Sequence, residues 1–272
     1  MSVSCRDLHA LDDFAQVVAL EGRIWGLSDE VVPLTVFAAA VPRGAVLIGA
    51  FDGDDLVGFT YSFPALCHGR VIHWSHMTGV ADGHRRLGVG RRLKLAQRER
   101  VRALGLERID WTFDPLQAVN AHFNLRRLGA VVEHYEVNVY GASASPLHGG
   151  LPTDRFVAQW WLNAPRVEAR LADEAGGRAG RPADAALANP TRMVDGWEVC
   201  DWEARVPPQP AVAVAIPGRF DAMLATAPGV ALRWRLATRR LFQSLFTNGY
   251  RVVDFDHGPG DGGRYVLVQD VS

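Results

Sequence analysis

The stretch Val71 to Gly105 limits what this chain can become more than any other. Val71 to Val80 is a β-branched and apolar run of strand length. Arg85-Arg86-Leu87-Gly88-Val89-Gly90 follows and sets two glycines where a helix must begin. Beyond them Val89, Leu93, Ala96, Ala103 and Leu104 make one apolar stripe at helical spacing, and Gly105 supplies a stop. A strand, a tight polar turn and an amphipathic helix are therefore expected. Glycine lacks a Cβ, so another molecule can lie against the backbone amides of the turn. The first amides of a helix have no intrahelical partner, and the positive end of the helix dipole stands behind them. Arg85, Arg86, Arg91 and Arg92 add fixed charge. Such a place suits a phosphate or pyrophosphate.

This stretch resembles the signature of the GNAT acyltransferase superfamily, a strand followed by Arg/Gln-x-x-Gly-x-Gly/Ala and a helix. Here the signature stands as Arg85-x-x-Gly88-x-Gly90, with Val80 closing the strand five residues before Arg85. In the family these amides hold the pyrophosphate of coenzyme A. The resemblance implies that Thr78, Val80, Arg85, Arg86, Leu87, Gly88, Val89, Gly90 and Arg91 contact acetyl-CoA or another acyl-CoA as co-substrate. No metal is implied.

Taken in order, the chain predicts a strand at Val3 to Leu8 and helices at Leu11 to Trp25 and Leu34 to Ala40. Strands at Ala45 to Phe51 and Leu56 to Phe63 flank the hairpin signal Asp52-Gly53-Asp54-Asp55. After Gly105 come a strand at Arg108 to Phe113, a helix at Gln117 to Leu128 and a strand at Val131 to Tyr140. This order is similar to the GNAT fold, an α/β class with a mixed central β-sheet flanked by helices. It is closest to a bacterial branch with a Trp-Thr-Phe-Asp-Pro-Leu run, here Trp111 to Leu116. The branch also has an Asn-Ala-x-Phe-Asn run, here Asn120 to Asn124, and a Thr-Asp-Arg run, here Thr153 to Arg155. Some proteins similar to it are associated with N-succinylation of amino acids, so the acyl group need not be acetyl.

The expected domains are a GNAT acyltransferase domain over 1–165, a linker or exposed loop over 166–190, and a C-terminal α/β extension over 191–272. Leu151 to Leu162 adds one more strand. Leu171 to Pro190 is rich in Ala, Gly, Asp and Pro, which removes any periodic apolar face. The tail reads as a strand at Ala211 to Ile216, a helix at Leu232 to Asn248, and strands at Arg251 to Phe255 and Arg264 to Gln269 around a turn at Gly258 to Gly263. That β-α-β-β order repeats the core order without its glycine signature, since Pro217-Gly218-Arg219-Phe220 stands where a phosphate loop would be. It is either a degenerate second GNAT half, extending the sheet or walling the substrate side, or a plain structural extension.

Acyl transfer to an amine needs a base, a stabilised oxyanion and a way to release the thiolate. In the family the strand corresponding to Val71 to Val80 commonly supplies the base and, through an amide near its bulge, the oxyanion donor. His76, four residues before Val80, resembles the histidine of arylalkylamine acetyltransferases and titrates near neutrality. His73 alternates to the opposite face unless a bulge intervenes. Ser75 is a candidate for positioning water. Many GNAT enzymes carry a Tyr four residues before the glycine that ends the last core helix. Counting back from Gly129 finds Leu125, with Asn124 beside it, so the general acid is not evident. Asn120 and Asn124 are expected at the pantetheine arm or sulfur, and Arg155 and Arg235 at a substrate carboxylate. The alternative for each is a surface, ion-pair or core role.

The leading expectation is an acyl-CoA-dependent N-acyltransferase for a small-molecule amine such as an amino acid. A non-catalytic CoA-binding or regulatory protein and a protein-lysine acetyltransferase are the alternatives. Of 272 residues 48% are hydrophobic and the net charge is −1, so the composition offers no argument for a nucleic-acid or membrane partner. The apolar runs fall short of a bilayer span, and the first residues have no signal-peptide character. Cys5, Cys67 and Cys200 are too few and scattered for a disulfide framework, so a reducing cytoplasm is expected. Lys94 is the sole lysine among 29 basic residues. The chain is expected as a monomer or homodimer.

Overall fold

The structure, a computed structural model, describes residues 3–26, 31–141, 150–173, 185–201, 206–257 and 262–269. The chain divides into two compact units, Met1–Trp111 and Thr112–Ser272.

The first unit runs β1 (Val3–Asp7), α1 (Leu11–Trp25), α2 (Leu34–Ala40), β2 (Val46–Asp52), β3 (Asp55–Cys67), β4 (Arg70–Val80), α3 (Val89–Ala103) and the start of β5 (Arg108–Phe113). β1 to β4 are antiparallel neighbours, and β5 joins β4 in parallel. The helices at both expected positions have their expected bounds because both period and punctuation agree: α1 ends on left-handed Gly26. Its buried face, Phe14, Val17 and Leu20, meets Phe37 of α2 and Leu47, Phe59 and Tyr61 of the sheet. Each such side chain withdrawn from water contributes about 2 kcal/mol. The opposite face of the sheet carries α3. Gly79 lets α1 close on β4: a Cβ there would meet Ile24 at 2.8 Å and Trp25 at 3.0 Å.

The second unit holds a short α4 (Ala118–Ala121) that passes into π-helical turns over His122–Arg127, β6 (Val131–Glu136), β7 (Arg155–Trp161), α5 (Pro165–Ala172), β8 (Ala186–Leu187), β9 (Thr191–Val194) and β10 (Trp197–Cys200). It continues with β11 (Ala211–Ile216), α6 (Phe220–Thr226), α7 (Pro228–Thr247), β12 (Tyr250–His257) and β13 (Gly263–Gln269). Its strand order is β7-β6-β12-β13-β11-β8, with β9 and β10 as a separate hairpin. β6 pairs with β12 at Val132↔Val252, so the C-terminal strands extend the sheet from β6. Phe156 of β7 packs on Phe242 of α7 and Tyr265 of β13 with ring centroids 4.7 and 5.3 Å apart. That shared core is why β6 and β7 belong with the C-terminal elements.

Four expectations change. The helix expected over Gln117 to Leu128 is α-helical only at its start; Leu128 N–H reaches back to Phe123 O, a five-residue step. The strand expected to Tyr140 stops at Glu136 because Asn138 is left-handed (φ 51°) and exchanges hydrogen bonds with Thr153 and Asp154. The linker expected from 166 begins as α5, opened by Pro165 and anchored by buried Val167 and Arg170; residues 174–184 lie outside the described residues. The tail contains an extra helix, α6, and α7 starts at Pro228 rather than Leu232. Most of the turn expected at 258–263 lies outside the described residues.

Candidate active site

The turn between β4 and α3 has the backbone its glycines require. Arg86 (φ 66°) and Gly88 (φ 80°) are both left-handed, and Gly88 is the residue before the helix. The first intrahelical bond from the turn is Arg92 N–H to Gly88 O, so the preceding amides have no carbonyl within the helix to bond. A Cβ on Gly88 would meet nothing within 4 Å, and one on Gly90 only Val80 Cγ2 at 4.0 Å. Space for a phosphate group therefore lies against this backbone. Arg85 is pinned at the entrance: its Nε donates to Val80 O at 3.2 Å and its guanidinium pairs with Asp82 at 2.9 Å.

β4 is interrupted where chemistry was expected. Met77 pairs with Tyr61 and Ser75 with Ser62, which leaves His76 as the extra residue of a β-bulge. His76 is exposed, with the Tyr61 and Phe63 rings 6.2 and 6.0 Å from its own. Partial burial against them lowers its pKa, which favours the neutral, proton-accepting imidazole.

His73 takes the other face and is fully buried. Gly44 O can only accept, so His73 Nε2 carries the proton and donates to it at 3.0 Å, while Nδ1 accepts from Ser62 Oγ at 2.8 Å. Burial holds its pKa below the ordinary value. A lowered histidine pKa contributes stability above the unfolded value, about 6.5, and loses it as pH falls toward the folded value. His73→Ala is expected to cost about 1–3 kcal/mol at pH 7.5 and less at acidic pH, as urea unfolding would show.

The inner side of β4 meets α3 through polar groups. Thr78 Oγ1 lies 2.8 Å from Thr60 Oγ1, Gln97 Nε2 donates to Thr60 Oγ1 at 3.2 Å, and Lys94 Nζ donates to Ser75 Oγ at 2.8 Å. Lys94 is 3% exposed, and burial pulls its ammonium down to about 7. Sequence reasoning passed over Lys94 and Gln97. Their signal was the spacing: they flank Leu93 and Ala96 on the apolar stripe of α3, where a lone lysine and a glutamine do not belong unless partnered.

The remaining candidates belong to the second unit. Asn120 is exposed on α4, and Asn124 is buried in the π-helical turns, its carbonyl accepting from Ala130 N–H at 3.0 Å. Leu125, where the family's tyrosine would stand, is wholly buried core. Arg235 grips Asp114 with both Nη atoms at 2.8 and 2.6 Å. Arg155 donates to Asp154 O at 3.0 Å, approaches Asp114 at 3.9 Å and lies over the Tyr140 ring. Asp154 in turn holds Arg239 and Tyr135. The runs at 111–116 and 153–155, far apart in sequence, thus supply Asp114, Asp154 and Arg155 to one ion-pair network. Burial and Asp154 together push the Tyr135 phenol up, so it is held as a neutral donor.

The yncA protein of Salmonella typhimurium, named as an acetyltransferase and solved with acetyl-CoA, superposes with TM-score 0.50 at 17% identity, over 60% of this chain and 96% of that one. The chain has the GNAT fold. A GNAT-family acetyltransferase from Streptococcus pneumoniae aligns over 58% of this chain and 98% of its own, with TM-score 0.48 and 18% identity. The ribosomal-protein-S18-alanine N-acetyltransferase of Escherichia coli gives 0.48 and 12%, over 60% and 96%. No family model and no curated protein matches the chain. At these identities the GNAT likeness is one of fold, and the acceptor has to be read from the site. No helix among the described residues is long and apolar enough to cross a membrane.

Proposed function

We propose that this chain is an acyl-CoA-dependent N-acyltransferase acting on the amine of a small molecule such as an amino acid, with acetyl the first acyl group to test and succinyl the second. One observation carries the reading: left-handed Arg86 and Gly88 ahead of α3 leave helix-start amides facing space that a Cβ would not share with any protein atom. In this reading those amides and the adjoining arginines bind the pyrophosphate. The amine nitrogen attacks the thioester carbonyl, a C–N bond forms, the C–S bond breaks, and CoA leaves as the thiol. His76, neutral and exposed at the bulge, takes the ammonium proton directly or through water. Asn120 and Asn124 are assigned to the pantetheine arm on the family resemblance alone. Arg155 is the better carboxylate ligand of the two arginines, because Arg235 is already bidentate on Asp114. Residues 1–165 would then be the acyl-transfer region and 191–272 its extension.

The experiment is CoA release from acetyl-CoA and succinyl-CoA over a panel of amino acids and simple amines. Release that depends on the amine supports the reading. Tight CoA binding without turnover on any amine would favour a non-catalytic binding protein, the alternative that buried Leu125 and bonded Tyr135 speak for. Pro217-Gly218-Arg219 leads into α6 without a left-handed residue such as Arg86 or Gly88, so calorimetry is expected to count one acyl-CoA per chain. A count of two would overturn the single-cradle assignment.

A further inference from the structure

Beneath β4 lies a polar network that acyl transfer as described leaves unused. Lys94 Nζ donates to Ser75 Oγ at 2.8 Å and to Gln97 Oε1 at 3.0 Å, and sits 4.0 Å from the centroid of the Trp111 ring. An ammonium has three hydrogens, and two acceptors and one aromatic face take them up. Gln97 Nε2 also donates to Ser75 Oγ, at 3.1 Å. Ser75 therefore accepts two N–H bonds, which occupies both of its lone pairs. Its own hydrogen finds within the network only Gln97 Oε1, at 3.4 Å, an oxygen that Lys94 holds more closely. The parallel pairing of β4 with β5 runs through His73↔Ile109 and Trp74↔Asp110. The next residue on each strand, Ser75 and Trp111, contacts the Lys94 ammonium, and the next residue on β4 is the bulged His76.

We infer that Ser75 donates its hydroxyl hydrogen to the acyl carbonyl oxygen of the thioester, and that Lys94 and Gln97 are positioning residues that hold this hydrogen toward the substrate. The inference rests on the acyl-transfer reading. Its physical content is directional. While Lys94 is an ammonium it can only donate, so within the network the Ser75 hydrogen has only the long 3.4 Å contact to Gln97 Oε1, and a closer substrate oxygen competes well for it. Once Lys94 is a free amine, its lone pair accepts that hydrogen and the donor turns inward. One proton on Lys94 thus decides whether an oxyanion donor is present.

The surroundings support a titration in the working range. Of the charged or titratable groups on α3, β4 and β5, only His73, Arg98 and Asp110 are buried with Lys94; the other arginines and Glu99 of α3, Arg70 and His76 of β4, and Arg108 of β5 are more exposed. Burial favours the neutral form of His73, Asp110 is paired with Arg108, and burial is what brings Lys94 to about 7. The signs then follow. His76 must be neutral, so kcat/KM rises with pH through its lowered pKa; Lys94 must be charged, so the rate falls again as pH passes about 7. The expected profile is a bell.

The test uses the intact chain and acyl-CoA with an amine that the wild type accepts. Ser75→Ala and Lys94→Met are each expected to lower kcat by about 10²-fold, the usual effect of removing one oxyanion donor, with KM for acyl-CoA unchanged. The double variant should be no slower than the slower single one, because both remove the same hydrogen bond. Lys94→Met should lose the alkaline limb of the bell, and Lys94→Arg, which cannot deprotonate, should lose it while keeping more activity. Melting curves check that the variants fold; replacing a buried ammonium by an apolar side chain is not expected to lower Tm. Lysine-selective isotope labelling gives a single signal in this chain, expected to titrate near 7 and to shift in Ser75→Ala. Unaltered kcat in folded variants, additive losses, or a lysine signal titrating only above about 10 would overturn the inference while leaving the acyl-transfer reading in place. A wild type that binds no acyl-CoA would remove both.

Discussion

Gly88→Val is expected to abolish acyl-CoA binding while the protein still folds. Two effects add at this position. A valine at φ 80° is strained, which costs about 1–2 kcal/mol, and its side chain enters the space against the α3 amides. A charge-assisted hydrogen bond to phosphate contributes about 1.5–3 kcal/mol, so loss of two weakens binding roughly 10²- to 10⁴-fold, beyond ordinary calorimetric detection. Strain alone would lower Tm by a few degrees without touching affinity. Gly90→Val separates the two effects. Gly90 is not left-handed, and its added Cβ would have only a 4.0 Å contact with Val80, so stability should be nearly unchanged while binding is again lost. Folded Gly88→Val or Gly90→Val protein with normal CoA affinity would refute the cradle.

His76→Ala is expected to lower kcat by roughly 10²-fold or more, the usual contribution of a positioned base, with little change in KM for acyl-CoA. In the wild type, log kcat/KM should rise with pH through an apparent pKa below 6.5, because burial against Tyr61 and Phe63 disfavours the imidazolium. That acid limb should be absent in His76→Ala. Amines of low pKa should suffer less from the substitution, since less of each needs deprotonating. His73→Ala is the control: its ring is spent on Ser62 and Gly44, so the loss should appear in unfolding and not in rate. Near-normal kcat in His76→Ala would assign the base to water or another group.

The bulge explains why the two histidines differ so sharply. Alternation along β4 already separates His73 from His76, and the sequence was sufficient for that inference. The sequence did not disclose that His76 would be the unpaired residue, because a bulge depends on how β3 registers against β4 through Tyr61↔Met77 and Ser62↔Ser75. Register is a long-range property set by packing on both sheet faces.

The sequence by itself determined the local elements of the first unit and the turn that starts α3. There the signals are short-range: periods of two and 3.6, a glycine able to adopt positive φ, a proline just before the first helical residue of α2. Such signals act within a few residues and survive any tertiary arrangement that keeps the faces buried. Tertiary structure decided the rest. The π-helical turns at His122–Arg127 trade α-helical bonds for longer steps that end in Ala130 N–H on Asn124 O, and no local propensity marks them. β6 and β7 join the C-terminal strands because Phe156 finds Phe242 and Tyr265 across long stretches of chain. Lys94 is an ordinary helix former in sequence and an ammonium whose pKa burial pulls down to about 7 in the fold, since only the packing of α3 on β4 and β5 removes its water and supplies Ser75, Gln97 and Trp111 instead. Desolvation is a property of the assembled core, and no stretch of sequence carries it alone.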